Sequence, residues 1–161
     1  MSSASYDVRE VNVAARQAAG VRAQVPRGRV AQEFGRHLDY VYAAARAGAV
    51  HLDGQNIFVY RAATAHELTV DFCVGVAAPF AAVGPVEPFQ TPQGVAAMTT
   101  HIGDFGRLGE AHAAILSWCR ATDRLPAGPS WEVYGHWHAD PAQLRTEVYY
   151  LLQPVGAGTG S

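Results

Sequence analysis

The sequence predicts an α+β protein. Two strand-helix-strand-strand units, one after the other, join into a curved antiparallel sheet with two helices on one face and a ligand cleft on the other. Three observations predict it. Apolar residues recur at helical spacing in residues 29–47 and again beyond residues 103–109. Short runs rich in β-branched and aromatic residues flank both segments. The second half of the chain also echoes the first. Phe58-Val59-Tyr60, followed by Glu67 to Val74, matches Glu132-Val133-Tyr134, followed by Gln143 to Tyr150. The offset is 74 residues before the connection and 76 after it.

The elements follow in order. Residues 7–13 and 16–25 read as strands joined by a short turn. Pro26-Arg27-Gly28-Arg29 breaks that pattern. Val30, Phe34, Leu38, Val41 and Ala45 then form the apolar stripe of a helix over 29–47, with Gly48 as its stop. Residues 57–61 and 68–76 are strands. Residues 77–92 carry four prolines and read as linker, with a short strand at 86–89 that Pro85 and Pro88 keep at an edge. Residues 95–102 form the next strand. The three glycines of 103–109 open a helix carrying Leu108, His112, Ile115, Leu116 and Cys119. Residues 125–129 read as loop, and 131–137 and 145–152 as the closing strands. Helix-to-strand spacing matches without a gap, Leu38 to His112, Val41 to Ile115 and Tyr60 to Tyr134, which points to an internal duplication. The expected domain is residues 1–155, with halves at about 6–78 and 86–154 and a disordered tail at 156–161.

Composition excludes several classes. With 49% apolar and 16% charged residues in 161, the chain is globular rather than disordered. Its net charge of -2 and the absence of a basic cluster argue against nucleic acid as a direct partner. All basic residues are arginine. Cys73 and Cys119 lie far apart without CxxC spacing, so reduced buried thiols are expected rather than a disulfide. No apolar run approaches the ~18 residues of a membrane span, and the N-terminus lacks a signal pattern. A cytoplasmic, membrane-free protein is expected, as a monomer or weak dimer.

Strand alternation sorts side chains by face. Val148, Tyr150 and Leu152 should pack on the helices, leaving Glu147, Tyr149 and Leu151 on the concave side. Asp71 and Cys73 should face the same concavity. Phe58 and Tyr60, with Glu132, Tyr134 and His136, are also expected to line it. Glu147 stands out, because a carboxylate in an apolar, aromatic strand is costly unless paired, solvated or used. Trp137 is a further stacking candidate, and His101, beside the Gly103 turn, a further contact. His136 and His138, followed by Asp140, place two imidazoles on one strand face but supply no third ligand, so no metal and no cofactor is assigned. Gly103-Asp104-Phe105-Gly106-Arg107-Leu108-Gly109 lacks the Lys-Ser/Thr ending of a phosphate loop and reads as a turn.

The segment Gly128-Pro129-x-x-Glu132-x-Tyr134, then Asp140-Pro141, then Leu144-x-Thr146-Glu147-Val148-Tyr149, resembles the closing motif of the GyrI-like small-molecule-binding domains. Thr99 to Gly109 resembles their central strand, glycine turn and helix. That family supplies the effector-binding domain of multidrug-sensing regulators and also occurs free-standing. The resemblance, from about Tyr6 to Pro154, implies the duplicated fold, a cleft between the halves and a pocket glutamate at Glu147. The usual final Ile-Pro is Leu151-Leu152 here. The chain shows no helix-turn-helix segment, so a free-standing form is expected.

Three functions follow as expectations. The first is a binding protein for hydrophobic, often cationic or aromatic drug-like molecules, sequestering toxic compounds. Glu147 attracts the cation while aromatics stack on its rings. The second is a hydrolase opening strained rings of reactive natural products, with Glu147 and Glu132 as a general acid-base pair, a role that the resemblance suggests. The third, again from the resemblance, is a gyrase-interacting module. Asp71 stands opposite Glu147 in the repeat as a second counter-ion or as a partner of Arg61.

Overall fold

The Gly48 stop works as a backbone device. The helix Val30–Arg46 (α1) closes with Ala47, and Gly48 adopts φ 82°, a left-handed conformation that costs a residue without Cβ nothing. A computed structural model describes residues 5–155. The tail expected at 156–161 lies outside the described residues. The chain forms two compact units, one running from Ala15 to Pro92 and one combining the segment up to Ala14 with everything from Gln93 onward. We call them the first and second units.

In the first unit, α1 is preceded by strand Gln17–Pro26 (β2) and followed by Leu52–Ala63 (β3), Glu67–Val76 (β4) and Glu87–Gln90 (β5). The strand order is β3-β4-β2-β5, antiparallel throughout. Residues 52–63 make a longer strand than the expected 57–61, carried past two irregularities of register. The short strand expected in the linker is present, as the edge strand β5. Phe58, Val70, Phe72 and Val74 lie on the sheet face turned toward α1. There His37 stacks on Phe72 at 5.0 Å and Phe34 meets Phe58 at 5.6 Å.

The second unit opens with Arg9–Val13 (β1). It continues through Gly94–Ile102 (β6), a 3-10 turn at Phe105–Arg107, helix Leu108–Thr122 (α2), Pro126–Tyr134 (β7) and Arg145–Leu152 (β8). Its order is β1-β6-β8-β7, again antiparallel. β1 precedes β2 in sequence but pairs with β6. The four strands of each unit therefore include one from across the sequence midpoint: β1 in the second unit and β5 in the first. The fold class is the expected one, α+β with the helix-strand-strand pattern repeated.

Two expectations about β7 need correction. Residues 126–129 are strand rather than loop, entering β7 through an irregularity between Pro126 and Ser130. The strand also stops at Tyr134, not at Trp137, so residues 135–140 are irregular. Leu108, Ala111, Ile115 and Cys119 of α2 form the core with Ala97, Val148 and Leu152. Ile115 and its repeat partner Val41 are both fully buried, and each such side chain contributes roughly 1.5–3 kcal/mol. Among the described residues no helix is long and apolar enough to cross a membrane.

Candidate ligand-binding site

Register decides which side chains share a face. In the second unit Met98 lies opposite Tyr149 and Thr100 opposite Glu147, while Trp131 and Val133 face the same two residues from β7. Side chains directly opposite one another in a ladder point the same way. Thr100, Met98, Glu147, Tyr149, Trp131 and Val133 therefore share the face turned away from α2. At its centre the Trp131 and Tyr149 rings stack at 5.0 Å with only 6° between their planes. The Tyr149 hydroxyl donates to Glu147 Oε1 at 2.9 Å. The other carboxylate oxygen, Oε2, faces Arg145 at 3.9 Å, and the Glu147 side chain keeps 32% of its surface exposed. This is a carboxylate held by one hydroxyl, beside a flat aromatic wall and still reachable by solvent.

Glu132 is not part of this group. It faces Val148, and with Tyr134 and Tyr150 it lies on the α2 side of the sheet. Successive strand residues alternate faces, and Glu132 pairs with Val148, one residue past Glu147. The two acids thus lie on opposite sides of one sheet, and the expected acid-base pair does not form. Glu132 is instead the centre of a buried chain. Tyr134 donates to its Oε1 at 2.6 Å, and His112 Nε2 meets its Oε2 at 2.6 Å. His112 Nδ1 continues to the Tyr150 hydroxyl at 2.7 Å. Burial, with the Glu132 charge nearby, pushes the Tyr150 phenol up to about 12. Such a chain satisfies every polar group it buries and ties α2 to its sheet.

Tyr134, Phe58 and Tyr60 are corrected for the same reason. Phe58 faces Phe72, Tyr60 faces Val70, and both lie on the α1 side. His101 is buried on the α2 side, opposite Thr146. Its Nε2–H donates to the Asp104 carbonyl at 2.8 Å, which leaves Nδ1 to accept from the Tyr6 hydroxyl at 2.9 Å. Both nitrogens are committed to structure. His136 and Trp137 fall in the exposed segment after β7, Trp137 with 75% of its surface open. Neither shares the Glu147 face by strand geometry. Among the described residues no group of three His, Cys, Asp or Glu side chains is arranged to hold a metal.

Asp71 faces away from α1, opposite Val59 and Arg22. It is fully buried and fully paired. Arg22 binds it in bidentate fashion, Nε to Oδ1 at 2.7 Å and Nη2 to Oδ2 at 3.0 Å, and Arg61 Nε reaches Oδ2 at 2.8 Å. Two guanidinium groups on one carboxylate leave a net positive cluster, so Asp71 is no counter-ion for a ligand. Trp131 was missing from the expected site. Residue 131 has the opposite strand parity from Glu132, and the β7–β8 register, which sets Trp131 opposite Tyr149, turns it to the Glu147 face.

On this face a partly exposed carboxylate stands beside the Tyr149 ring, which stacks on the buried Trp131, a pairing of charge and aromatic surface suited to a small-molecule ligand. The chain belongs to the family of GyrI-like small molecule binding domains, whose model matches residues 6–153. Among solved structures it is similar to EcmrR in a complex with DNA, with TM-score 0.77 and 17% identity over 93% of this chain; it spans 58% of the length of that chain. It is similar to SAV2435 bound to tetraphenylphosphonium, with TM-score 0.67 and 10% identity, covering 94% of this chain and 96% of that one. It is also similar to a hydrolase from Listeria innocua, with TM-score 0.56 and 12% identity over 91% of each chain. No curated protein sequence matches it significantly.

Proposed function

We propose that the protein binds lipophilic aromatic cations on the Glu147 face of the second unit, with Glu147 as counter-ion and the Trp131–Tyr149 stack as the aromatic wall. The observation that carries this reading is the accessible carboxylate beside that stack. A cation over an aromatic face gains about 0.5–2 kcal/mol, rising as water is excluded. The Glu147 charge adds to it without fixing hydrogen-bond geometry, which suits ligands of varied outline. The likeness to SAV2435 bound to tetraphenylphosphonium supports the same ligand class.

Titration calorimetry with tetraphenylphosphonium tests the proposal. Wild type binds it, Glu147→Gln weakens binding about tenfold or more, and Trp131→Ala weakens it comparably. Equal affinity in wild type and Glu147→Gln would refute the counter-ion role. A ring-opening hydrolase would now have to act through Glu147 with the Tyr149 hydroxyl rather than through two acids. Mass spectrometry of incubated electrophilic ligands separates that activity from simple sequestration.

A further inference from the structure

Glu147 has one carboxylate oxygen committed and one contested. Oε1 accepts from the Tyr149 hydroxyl at 2.9 Å. Oε2 faces Arg145 Nη2 at 3.9 Å, too long for a hydrogen bond, and the Arg145 side chain keeps 58% of its surface exposed. The two residues stand on one sheet face, because residues two apart in β8 must. Arg145 lies there opposite Ile102, itself exposed.

The backbone of Arg145 is fixed, while its side chain is not. Its carbonyl accepts from the Gly135 N–H at 2.8 Å, and its place in the ladder is set by Ile102. The guanidinium makes no hydrogen bond and no second ion pair among the described residues. Arg9, on the same face opposite Met98, is by contrast bonded to Asp7 at 3.2 Å. Arg145 is thus a cation tethered beside Glu147 at high effective concentration, yet held loosely.

A carboxylate beside an aromatic wall disfavours any uncharged ligand that covers it, because the charge loses water and gains no partner. Arg145 removes that difficulty. Under a neutral ligand the arginine stays and neutralises Glu147. A cationic ligand takes Oε2, and the guanidinium moves out to solvent. The exchange breaks no hydrogen bond of Arg145, and Tyr149 keeps Oε1 throughout.

We infer that Arg145 is a displaceable counter-ion that widens the ligand range of the Glu147 face from aromatic cations to uncharged aromatic compounds. The inference rests on the cation-binding reading above and adds a second ligand class and the residue that admits it. Arg145 weakens cations, which bind only the fraction of molecules whose Glu147 is free of it, and it strengthens neutral ligands. A loose, exposed pair of this kind is worth about two- to fivefold in a binding constant.

The test uses two probes of one outline, the cation N-methylquinolinium and the neutral 1-methylnaphthalene, followed by backbone amide shifts of labelled protein. Both are expected to bind wild type, with shifts concentrated in residues 98–100, 131–133 and 145–149. Arg145→Gln then moves them in opposite directions: the quinolinium binds about two- to fivefold more tightly and the naphthalene about two- to fivefold more weakly. Arg145→Lys keeps the charge and loses no forked contact, so it returns both probes to near their wild-type affinities. A steric or folding effect of the substitution would instead move both probes the same way. That outcome, no change in either probe, or no binding of 1-methylnaphthalene to wild type would each overturn the inference. Tetraphenylphosphonium binding that depends on Glu147, without opposite shifts in Arg145→Gln, would sink this inference alone and leave the cation reading standing. Tetraphenylphosphonium binding that ignores Glu147 would remove both.

Discussion

The two units carry an acid at the same point of the same strand, Asp71 in β4 and Glu147 in β8, both facing away from the helix of their own unit. Asp71 is sealed and receives three bonds from two arginines. Glu147 keeps solvent contact and receives one hydroxyl bond, with Arg145 only at 3.9 Å. The difference lies in the neighbours. Arg22 and Arg61 border Asp71, whereas Thr100 and Val133 border Glu147 and neither carries a charge. The same contrast, reversed, holds for the helix histidines. His112 bonds at both nitrogens, whereas both ring nitrogens of His37, stacked on Phe72, are buried without a hydrogen bond. Each unit thus has one polar group tied into its scaffold by several bonds and another held more loosely: Glu147 in the second unit, with one hydroxyl bond, and His37 in the first, with only Glu33 at 3.9 Å.

The largest expected effect breaks the first half of this contrast. Asp71→Ala strands two guanidinium groups, one of them largely covered, and should cost about 2–4 kcal/mol of stability, below the full loss for a wholly buried pair because Arg22 remains half exposed. Urea unfolding measures it. If Asp71→Ala were no more destabilising than Glu147→Gln, the two acids would be equivalent after all.

Glu132→Gln comes next. It removes the charge that His112 and Tyr134 serve and should cost about 1–3 kcal/mol while leaving tetraphenylphosphonium affinity within about twofold, since Glu132 lies on the other face of the sheet. Thermal melts together with calorimetry report both quantities, and a large affinity loss would place Glu132 in the site.

Glu147→Gln sharpens the comparison from the other side. Its stability should change by less than about 0.5 kcal/mol, as for exposed pairs, while cation binding falls by about 1.4 kcal/mol or more. The same two measurements apply, and a stability loss without a binding loss would make Glu147 structural.

The smallest effect concerns pH. Burial, and then Arg36, push the His37 pKa down, with Glu33 partly opposing. Its folded-state value therefore lies below its unfolded one. At acid pH the unfolded chain binds the proton more readily, so stability is full above the ordinary histidine range and declines as pH falls below about 6.5. His37→Leu should flatten that decline in urea titrations at pH 7.5 and 5.5. An unchanged slope would assign the acid sensitivity to other groups.

Much of the fold was legible because it rests on local periodicity. The stripe through Leu38 and Val41, the glycine stop at 48 and the alternation in residues 145–152 each depend on neighbours a few positions away. The edge strand at 86–89 was readable from its prolines for the same reason. The partner of β1 was not readable. A short turn suggests a hairpin with β2, yet β1 pairs with β6, more than eighty residues on, and no local signal encodes that choice.

The site was half legible. By itself the sequence determined that Glu147 and Tyr149 share a face, since residues two apart in a strand must, and that Asp71 is the repeat equivalent of Glu147. Parity within one strand cannot say which face of a neighbouring strand aligns with it. That needs the register between β7 and β8, and a shift of one residue would have exchanged Glu132 for Trp131. Only the tertiary structure decided that Trp131 joins Glu147, that Glu132 turns to His112, and that Arg22 and Arg61 meet at Asp71. Those are contacts between residues far apart in the chain. They are fixed by how strands pair and what each sheet face buries, and the order of residues along any one strand leaves them open.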